Sequence, residues 1–259
     1  MESFVIDPLD VIEALSKLNG KICKTPEDVP SYVIKQIGMS IIRPLVIVFN
    51  NSMLTGRIPH QWKVSYVVPV YKKGNRNDPK NYRPISLTSG FSRVFELILH
   101  HKILNYLLAN SLLHPSQYGF LPKRSSCSQL LSCTFEWIWS YVNKQPVDVV
   151  YMDIAKAFDS VSHSKLVLVL RSYGICSSVI TWIDEFLTNR KQHVCIGKSI
   201  SSSVQVLSGV PQGGVIGPLL FVVYMDGVCK HIDIQGHNVS VKLFADDAKI
   251  FGKDNVSLQ

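Results

Sequence analysis

The sequence predicts an α+β fold on two observations. In several segments apolar residues recur at three- to four-residue intervals, as they do on one face of an amphipathic helix. Between these segments lie short apolar runs of strand character, most of them far apart in the chain. Strands separated by helices fit an α+β arrangement. With 259 residues, 46% of them hydrophobic, the chain can bury the core of one large domain or of two interleaved subdomains.

Two helices are expected near the N-terminus. Asp7 and Pro8 suit the N-cap and first position of a helix. Apolar residues follow at helical spacing: Val11, Ile12, Leu15 and Leu18. Pro30 opens a second helix that runs to about Leu54, with an interruption expected near Pro44.

Four later helices are expected at 89–109, 125–143, 162–173 and 218–229, and the segment 181–197 reads as a helix running into a strand. The helix at 125–143 has a stripe that indicates core packing, formed by Leu130, Leu131, Phe135 and Ile138. Strands are expected at 63–71, from residue 147 to Asp153, and on both sides of the pair Asp246 and Asp247.

The charge of the chain favours a polyanionic partner. The formal net charge is +8 and the sequence pI is about 9.1. Six cations fall within residues 63–83, opposed only by Asp78: Lys63, Lys72, Lys73, Arg76, Lys80 and Arg83. This run favours a phosphate-facing surface over a merely solvated loop.

Other patterns exclude several classes of protein. The six cysteines form no C-x-x-C pair and no zinc-ligand spacing with the histidines, so free thiols in a reducing compartment are expected. The opening MESFVIDPLD is not a secretory signal. The uncharged stretch 199–225 is interrupted by Gly217 and Pro218 and does not read as a membrane span. An intracellular protein without a membrane partner is the expectation.

Asp246 and Asp247 form an adjacent pair of carboxylates inside the apolar run KLFADDAKIF. Two like charges a few ångströms apart repel by roughly 4 kcal/mol at an effective dielectric constant near 20. A solvated turn would screen that repulsion without any function. The strand character of both flanks instead favours a tight turn between buried strands, which is a rigid platform for a divalent cation.

Asp153 ends another apolar strand, and the three carboxylates converge if the strands pair in one sheet. Such a cluster could hold two divalent ions about 3.5–4 Å apart and catalyse in-line displacement at phosphorus. A polymerase and a nuclease could both use it, so the carboxylates alone leave that choice open.

The segments YMDIAKAFDSV, SGVPQGGVIGPLLF and LFADDAKIF, in this order, resemble the three central palm motifs of reverse transcriptases. With NYRPISL upstream and QYGFLPKRSS between, the chain is similar to reverse transcriptases of non-LTR (LINE-like) retrotransposons from about residue 9 to residue 252. The resemblance implies a right-hand polymerase fold, with fingers of helices and strands and a palm with an antiparallel sheet.

The same resemblance divides the chain into parts of one reverse transcriptase domain. Residues 1–86 would form an N-terminal extension and fingers, and 87–160 the first part of the palm. Residues 161–207 would connect fingers and palm, and 208–259 would form a truncated second part of the palm. Because the sequence ends soon after the A-D-D box, the thumb is expected to be missing.

The resemblance also assigns a metal site. Asp153 and Asp246 match the two principal ligands of a pair of Mg²⁺ (or Mn²⁺) ions, and Asp247 completes the catalytic triad. The backbone carbonyl of Ile154 would be an additional ligand.

Four residues match positions that bind the incoming dNTP. Phe158, five residues after Asp153, would lie under the sugar and reject a 2′-hydroxyl, although an ordinary core Phe is the alternative. Gln212 would contact the nucleotide and the template, and Arg83 would grip the triphosphate with Lys73 as a second phosphate contact.

Nucleic-acid contacts are expected from four further residues: Gly213, Gly214, Arg124 and Lys72. The two glycines would let backbone approach the template strand closely. Glu96, in RVFE, is interpreted as structural.

The resemblance thus implies an RNA-directed DNA polymerase of a non-LTR retrotransposon, with an RNA template, a DNA primer or target DNA, and dNTPs as partners. One alternative is a related palm polymerase or group II intron maturase. A different class of alternative is an inactive relic or an RNA-binding fragment. Retrotransposition would place the protein in the nucleus, the cytoplasm or both.

Overall fold

The structure is a computed structural model that describes residues 1, 4–20, 29–234 and 239–252. The helices are α1 (Pro8–Lys17), α2 (Ser31–Thr55), α3 (Gly90–Ala109), α4 (Ser126–Val142), α5 (His163–Ser172), α6 (Ser177–Leu187) and α7 (Gly217–Ile234). The strands are β1 (Val64–Tyr71), β2 (Tyr82–Leu87), β3 (Asp148–Asp153), β4 (Arg190–Ile196), β5 (Ser199–Ile200), β6 (Val204–Val206), β7 (Val239–Phe244) and β8 (Asp247–Gly252). The expected α+β class is confirmed.

The helix α1 begins as its sequence predicts. Asp7 caps the helix by accepting a hydrogen bond from the backbone N–H of Asp10, whose side chain accepts one from the N–H of Asp7 in return. This reciprocal pair satisfies two donors that a helix N-terminus otherwise leaves open.

The helix α2 runs unbroken through Pro44, so the interruption expected there is wrong. Proline removes one backbone hydrogen bond from a helix and does not by itself end it when packing holds both sides. Ile42 and Leu45 are both buried in the core and flank the proline. Gly56, in the left-handed conformation, ends the helix.

By length and composition alone, α2 could also cross a membrane, with a mean hydropathy of 1.5 over its most apolar window. Core helices of soluble proteins pass the same test. Ile34, Phe49 and Met53 of α2 are buried in the core, and Phe49 packs edge-on against Phe95 of α3 with ring centroids 4.9 Å apart. The helix therefore has a packing role within the domain.

One sheet gathers strands from both halves of the chain. β1 and β2 form an antiparallel hairpin, β4 lies parallel to β1, and β5 and β6 pair with β4. The strand β4 follows α6 directly, as the helix-to-strand reading of 181–197 predicts. The sequence reading did not identify β2 as a strand, because its YRPISL has a proline and little alternation.

The second sheet has the order β3-β8-β7 and is antiparallel throughout. β3 pairs with β8 from Asp148 opposite Gly252 to Asp153 opposite Asp247. The expected pairing of the carboxylate-bearing strands is therefore correct. α4 packs on this sheet through an ion pair between Glu136 and Lys242 at 3.0 Å.

The apolar stripe of α4 is not a core face, so the core-packing prediction for it is wrong. Its members Leu130, Leu131, Phe135 and Ile138 are all exposed, Phe135 by 69%. The buried side of α4 instead carries Gln129, Cys133 and Ser140. Hydrophobic periodicity shows that a helix has an apolar face and does not show what covers that face.

The cysteines agree with the expectation of free thiols. Among the described residues, no disulfide involves Cys127, Cys133, Cys176, Cys195 or Cys229, and Cys23 lies outside the described residues. Burial raises the pKa of the Cys133 thiol, which makes that thiol less reactive.

A carboxylate-tipped hairpin as the candidate active site

The strands β7 and β8 form a hairpin whose two-residue turn is Ala245 and Asp246. Ala245 has φ +57° and is buried, although two-residue hairpin turns usually place glycine or asparagine where φ is positive. The adjacent Asp246 is half-buried, and Asp247, the first residue of β8, is exposed. Backbone strain of this kind persists only where the surroundings hold the turn in place.

Asp153 ends β3 directly opposite Asp247 in the antiparallel register. Side chains directly opposite one another on neighbouring strands have Cβ atoms about 4.5–5.5 Å apart, and like charges at that distance destabilise the pair. A bound cation would remove this repulsion. The sheet thus brings two of the three predicted carboxylates together on one face.

The donor set fits a divalent cation of the Mg²⁺ type, because such ions prefer carboxylate oxygens. Asp153 and Asp247 offer these oxygens from facing strands, and Asp246 adjoins them in the turn. Ile154, half-buried, follows β3 at the same end of the sheet. Within residues 1, 4–20, 29–234 and 239–252, however, no group of three or more His, Cys, Asp or Glu side chains lies close enough together to hold an ion.

An open cavity of about 400 Å³ adjoins the carboxylate pair. Asp153 and Asp247 line one side of it, and Gln129 and Leu130 of α4 line the other. The pair is therefore accessible to a large ligand.

Phe158 lies in the turn that follows β3 and is half-buried. Its ring stacks on Phe221 of α7 with centroids 4.5 Å apart, and Phe120 meets it edge-on at 5.9 Å. Packing fixes the ring on one side and leaves part of it accessible. Both the sugar-contacting role and the core role expected for Phe158 stay open on this geometry.

The Gly-rich loop before α7 is held by a buried carboxylate. Glu96, fully buried on α3, accepts hydrogen bonds from the backbone N–H groups of Val215 at 2.8 Å and Ile216 at 3.2 Å. Its other oxygen accepts one from the Ser92 hydroxyl at 3.0 Å. A negative charge beside the first residues of a helix is also favourable to the helix dipole. The geometry agrees with the structural interpretation of Glu96.

Gln212 lies in the same loop, and its backbone carbonyl accepts a hydrogen bond from the N–H of Ser86 in β2 at 2.7 Å. Gly213 has φ +109°, and a Cβ there would lie 2.9 Å from the Ser86 carbonyl oxygen. A Cβ on Gly214 would lie 3.0 Å from Glu96. The fold itself thus requires a glycine at position 213 and leaves little room for a side chain at position 214. The predicted approach of these two glycines to nucleic acid stays a prediction.

A polar cavity of about 140 Å³ separates this loop from the first sheet. Gln212, Ser86 and Gln192 line it, together with Arg190. Arg190 is 2% exposed, and its Nη1 donates to the backbone carbonyls of Trp62 and Phe186 at 3.3 and 3.2 Å. Burial lowers the pKa of Arg190 to about 10. Sequence reasoning missed this residue because it stands in a basic run, NRK, of the kind usually found at the surface.

The β1–β2 hairpin carries most of the predicted phosphate-binding cations. Lys72, Lys73, Arg76 and Arg83 are all exposed there, and the Arg76 guanidinium lies 5.0 Å from the centroid of the Tyr71 ring. The antiparallel pairing of β1 and β2 thus brings these cations together at one end of the hairpin.

Lys63 does not belong to that surface, which corrects the expectation for the run 63–83. It is 8% exposed and pairs with Glu185 of α6. A lysine in this setting forms a structural ion pair and is not available to a phosphate.

Arg124 is largely committed to the protein. Its Nη1 donates to the backbone carbonyls of Pro115 and Gln117, the second at 2.7 Å, and its guanidinium lies 5.2 Å from the centroid of the Tyr118 ring. These contacts fix the segment 115–118. The predicted contact of Arg124 with nucleic acid stays a prediction.

β3 ends on Asp153, the adjacent β8 begins on Asp247 directly opposite it, and the turn beside them carries Asp246. A carboxylate set of this kind is typical of sites that bind divalent cations for phosphoryl transfer. The family model for reverse transcriptase (RNA-dependent DNA polymerase) matches residues 70–259. The chain belongs to the reverse transcriptase family.

The relatives narrow this class to retrotransposon proteins. The chain is 27% identical over 243 residues to the probable RNA-directed DNA polymerase from transposon X-element of Drosophila melanogaster, covering 93% of this chain and 26% of the relative. It is 24% identical over 248 residues to the RNA-directed DNA polymerase from mobile element jockey of the same species, covering 94% and 27%. The resemblance to non-LTR retrotransposon reverse transcriptases is thus confirmed.

A third relative is the retrovirus-related Pol polyprotein from type-1 retrotransposable element R2 of Popillia japonica. It is 26% identical over 215 residues, covering 80% of this chain and 30% of the relative. The chain therefore spans about a quarter to a third of the length of these relatives.

Proposed function

We propose that the protein acts as an RNA-directed DNA polymerase of a non-LTR retrotransposon, which transfers a nucleotide from a dNTP to a primer 3′-hydroxyl on an RNA template. The observation that carries the proposal is the facing pair Asp153 and Asp247 with Asp246 in the adjoining turn. Membership of the reverse transcriptase family indicates the class of reaction. The three carboxylates offer the oxygen ligands for the divalent ions that this reaction needs.

Asp153, Asp246 and Asp247 would hold two Mg²⁺ or Mn²⁺ ions, with the carbonyl of Ile154 as a further ligand. Bound there, the ions would lower the pKa of the primer hydroxyl and neutralise charge on the leaving pyrophosphate. Proposed contacts of the chain with the dNTP come from Arg83 and, as a second phosphate contact, Lys73, both exposed on the β1–β2 hairpin. Those side chains would hold the triphosphate in line with the attacking hydroxyl.

The rest of the dNTP site would form between the loop and the turn after β3. Gln212 would contact the nucleotide and template, and Phe158 would lie beneath the sugar. Lys72, Arg124 and the backbone at Gly213 and Gly214 would contact the nucleic-acid strands.

In the right-hand fold that we propose, the sheet containing β1, β2 and β4 belongs to the fingers and the β3-β8-β7 sheet to the palm. The proposed four-part division at residues 86, 160 and 207 rests on the family resemblance, and none of the described residues is assigned to a thumb. The partners would be an RNA template, a DNA primer or target DNA, and dNTPs. The site of action would be inside the cell, in the nucleus, the cytoplasm or both.

A second candidate is an inactive relic that still binds RNA. The observation that favours it is the exposed cationic surface of the β1–β2 hairpin, formed by Lys72, Lys73, Arg76 and Arg83, which could bind RNA without any catalysis. The two candidates differ in one measurable respect, which is synthesis that depends on Mg²⁺.

The test uses Asp153→Asn and Asp246→Asn in the protein's complete reading frame, in a primer-extension assay on an RNA template. We expect both variants to lose at least about a hundredfold in rate, because each bound ion contributes several kcal/mol of transition-state stabilisation. Asp148→Asn is the matched control, since Asp148 lies exposed at the other end of β3, opposite Gly252. Substantial synthesis by a folded Asp153→Asn protein would contradict the proposed mechanism, and an inactive wild-type protein that binds RNA would favour the relic.

A further inference from the structure

A short segment of the QYGF motif lies along the free edge of β7 and extends the second sheet. The backbone N–H of Tyr118 donates to the carbonyl of Leu243 at 2.8 Å, and the N–H of Leu243 donates to the carbonyl of Ser116 at 2.8 Å. Gln117 and Leu243 are partners in a parallel bridge. The segment therefore has a fixed register next to the residues that lead into the A-D-D turn.

The side chain of Gln117 connects this segment to the turn that follows β7. Its side chain is fully buried, and its Oε1 accepts hydrogen bonds from the N–H of Gly119 at 2.7 Å and from the N–H of Ala245 at 3.2 Å. Because both partners are backbone donors, the amide oxygen must face them and the orientation of the amide is determined. One acceptor thus ties the motif to the first residue of the turn.

Gly119 makes this close approach possible. A Cβ at this position would lie 2.3 Å from the backbone nitrogen of Ala245, a separation that no side chain tolerates. Because residue 119 is a glycine, its backbone can lie in contact with the backbone of Ala245. Ala245 has a φ of +57° in this arrangement. The backbone of Ala245 is therefore held by a hydrogen bond to the Gln117 side chain and by close packing against the backbone of Gly119.

We propose that Gln117 is a positioning residue for the catalytic carboxylates, acting through the N–H of Ala245 on the neighbouring Asp246. The inference rests on the proposed function of the turn. Without the tether, the strained conformation of Ala245 loses its support and Asp246 moves relative to Asp153. A displacement of about 1 Å at a reacting centre can reduce a rate roughly a hundredfold.

Gln117→Met tests the tether, because methionine keeps the volume of the side chain and cannot accept the two hydrogen bonds. We expect the amide hydrogen of Ala245 to exchange with solvent at least about tenfold faster than in the wild-type protein, measured by NMR or mass spectrometry. In primer extension we expect kcat to fall about ten- to a hundredfold with KM for dNTP within about threefold. A merely structural residue would change the amount of folded protein and leave kcat per folded molecule unchanged.

Gln117→Glu is the rescue variant. The Nε2 of Gln117 has no hydrogen-bond partner among the described residues, so replacing it removes no bond. Burial favours the neutral form of the new carboxyl group, whose carbonyl oxygen can still accept both N–H groups. We expect slow exchange at Ala245 to return. Asn50→Leu is the matched control, since Asn50 braces the backbone of Ile6 through two similar bonds of 2.9 and 2.7 Å far from the turn.

The outcomes separate this inference from the proposed function. A wild-type protein without synthesis that depends on Mg²⁺ overturns both. A wild-type protein that polymerises, together with a Gln117→Met variant whose kcat or Ala245 exchange equals that of the wild type, overturns the inference alone. Equal losses in Asn50→Leu and Gln117→Met would also overturn it, because they would reflect general destabilisation.

Discussion

Neighbouring residues in the Gly-rich loop make close contacts with other parts of the protein. Gly213 lies against the backbone of β2, Gly214 lies against the Glu96 carboxylate, and that carboxylate receives the N–H groups of Val215 and Ile216. Glycines in a loop that binds a nucleotide are usually explained by the close approach of the ligand to the backbone. Here the loop is fixed before any ligand arrives, so Gln212 is presented on a rigid support.

Phe158 allows a test of sugar selection by one side chain. Phe158→Val shortens the ring that stacks on Phe221 and opens space where a 2′-hydroxyl would fit. We expect the ratio of rNTP to dNTP incorporation to rise about tenfold or more, measured by single-nucleotide primer extension. Phe221→Leu is the control, since it loosens the same stack from the buried side. An unchanged ratio in Phe158→Val, or an equal rise in Phe221→Leu, would assign Phe158 to core packing.

Asp226 connects three elements and is the strongest candidate for a stabilising network. This fully buried residue of α7 accepts hydrogen bonds from the N–H of His114 at 2.6 Å and from the Tyr173 hydroxyl, and pairs with Lys230 at 2.8 Å. Burial and the neighbouring Asp226 raise the pKa of the Tyr173 phenol, which therefore stays protonated and donates. The network ties α7 to the end of α5 and to the loop that leads into the QYGF motif.

Asp226→Ala should lower the free energy of unfolding by about 3 kcal/mol, because it removes the acceptor of the buried Tyr173 hydroxyl and of the His114 N–H, and the partner of Lys230. Urea denaturation of the chain followed by circular dichroism measures this change. Lys17→Ala is the comparison, since the Glu13–Lys17 pair is about half exposed and such pairs contribute about 0–1 kcal/mol. Equal losses in the two variants would mean that the network adds nothing beyond a surface ion pair.

The elements that the sequence predicted correctly are those with local signals. The cap at Asp7, the strands that end at Asp153 and flank Asp246, and the helix before β4 all follow from spacing within a few residues. The exposed stripe of α4 and the buried ion pair of Lys63 could not be predicted in this way. Both depend on which distant element lies alongside, and single-sequence patterns do not carry that information.

The same limit applies to the candidate site. The carboxylates were predictable because two like charges in an apolar run demand a partner, and the register of β3 and β8 then places Asp153 opposite Asp247. Gln117 and Arg190 were not predictable. A buried glutamine or arginine has no local signature, because its hydrogen bonds go to backbone groups brought near only by the tertiary fold.

The two sheets of the molecule are connected through the Gly-rich loop. The loop bonds to β2 through Gln212 and to the turn after β3 through the N–H of Val210, which donates to the carbonyl of Phe158 at 2.9 Å. These two bonds link the strand β2 of the cationic hairpin to the turn that follows Asp153. RNA binding by the cations of the hairpin can be measured separately from synthesis at the carboxylates.

We expect the 259-residue chain to bind RNA in a strongly salt-dependent manner, because its net charge is +8. Five cations lie around the β1–β2 hairpin: Lys72, Lys73, Arg76, Lys80 and Arg83. If about five phosphates of a single-stranded RNA are neutralised, affinity should fall roughly a hundredfold between 50 and 200 mM salt, because each contact releases condensed counterions. Fluorescence anisotropy with a labelled RNA over a salt series gives the slope. When Lys72 and Arg83 are both replaced by alanine, the slope of log affinity against log salt concentration should correspond to about two fewer phosphate contacts. Lys17→Ala, on helix α1, should leave the slope unchanged. A slope that responds equally to both changes would show that net charge, and not the hairpin, holds the RNA.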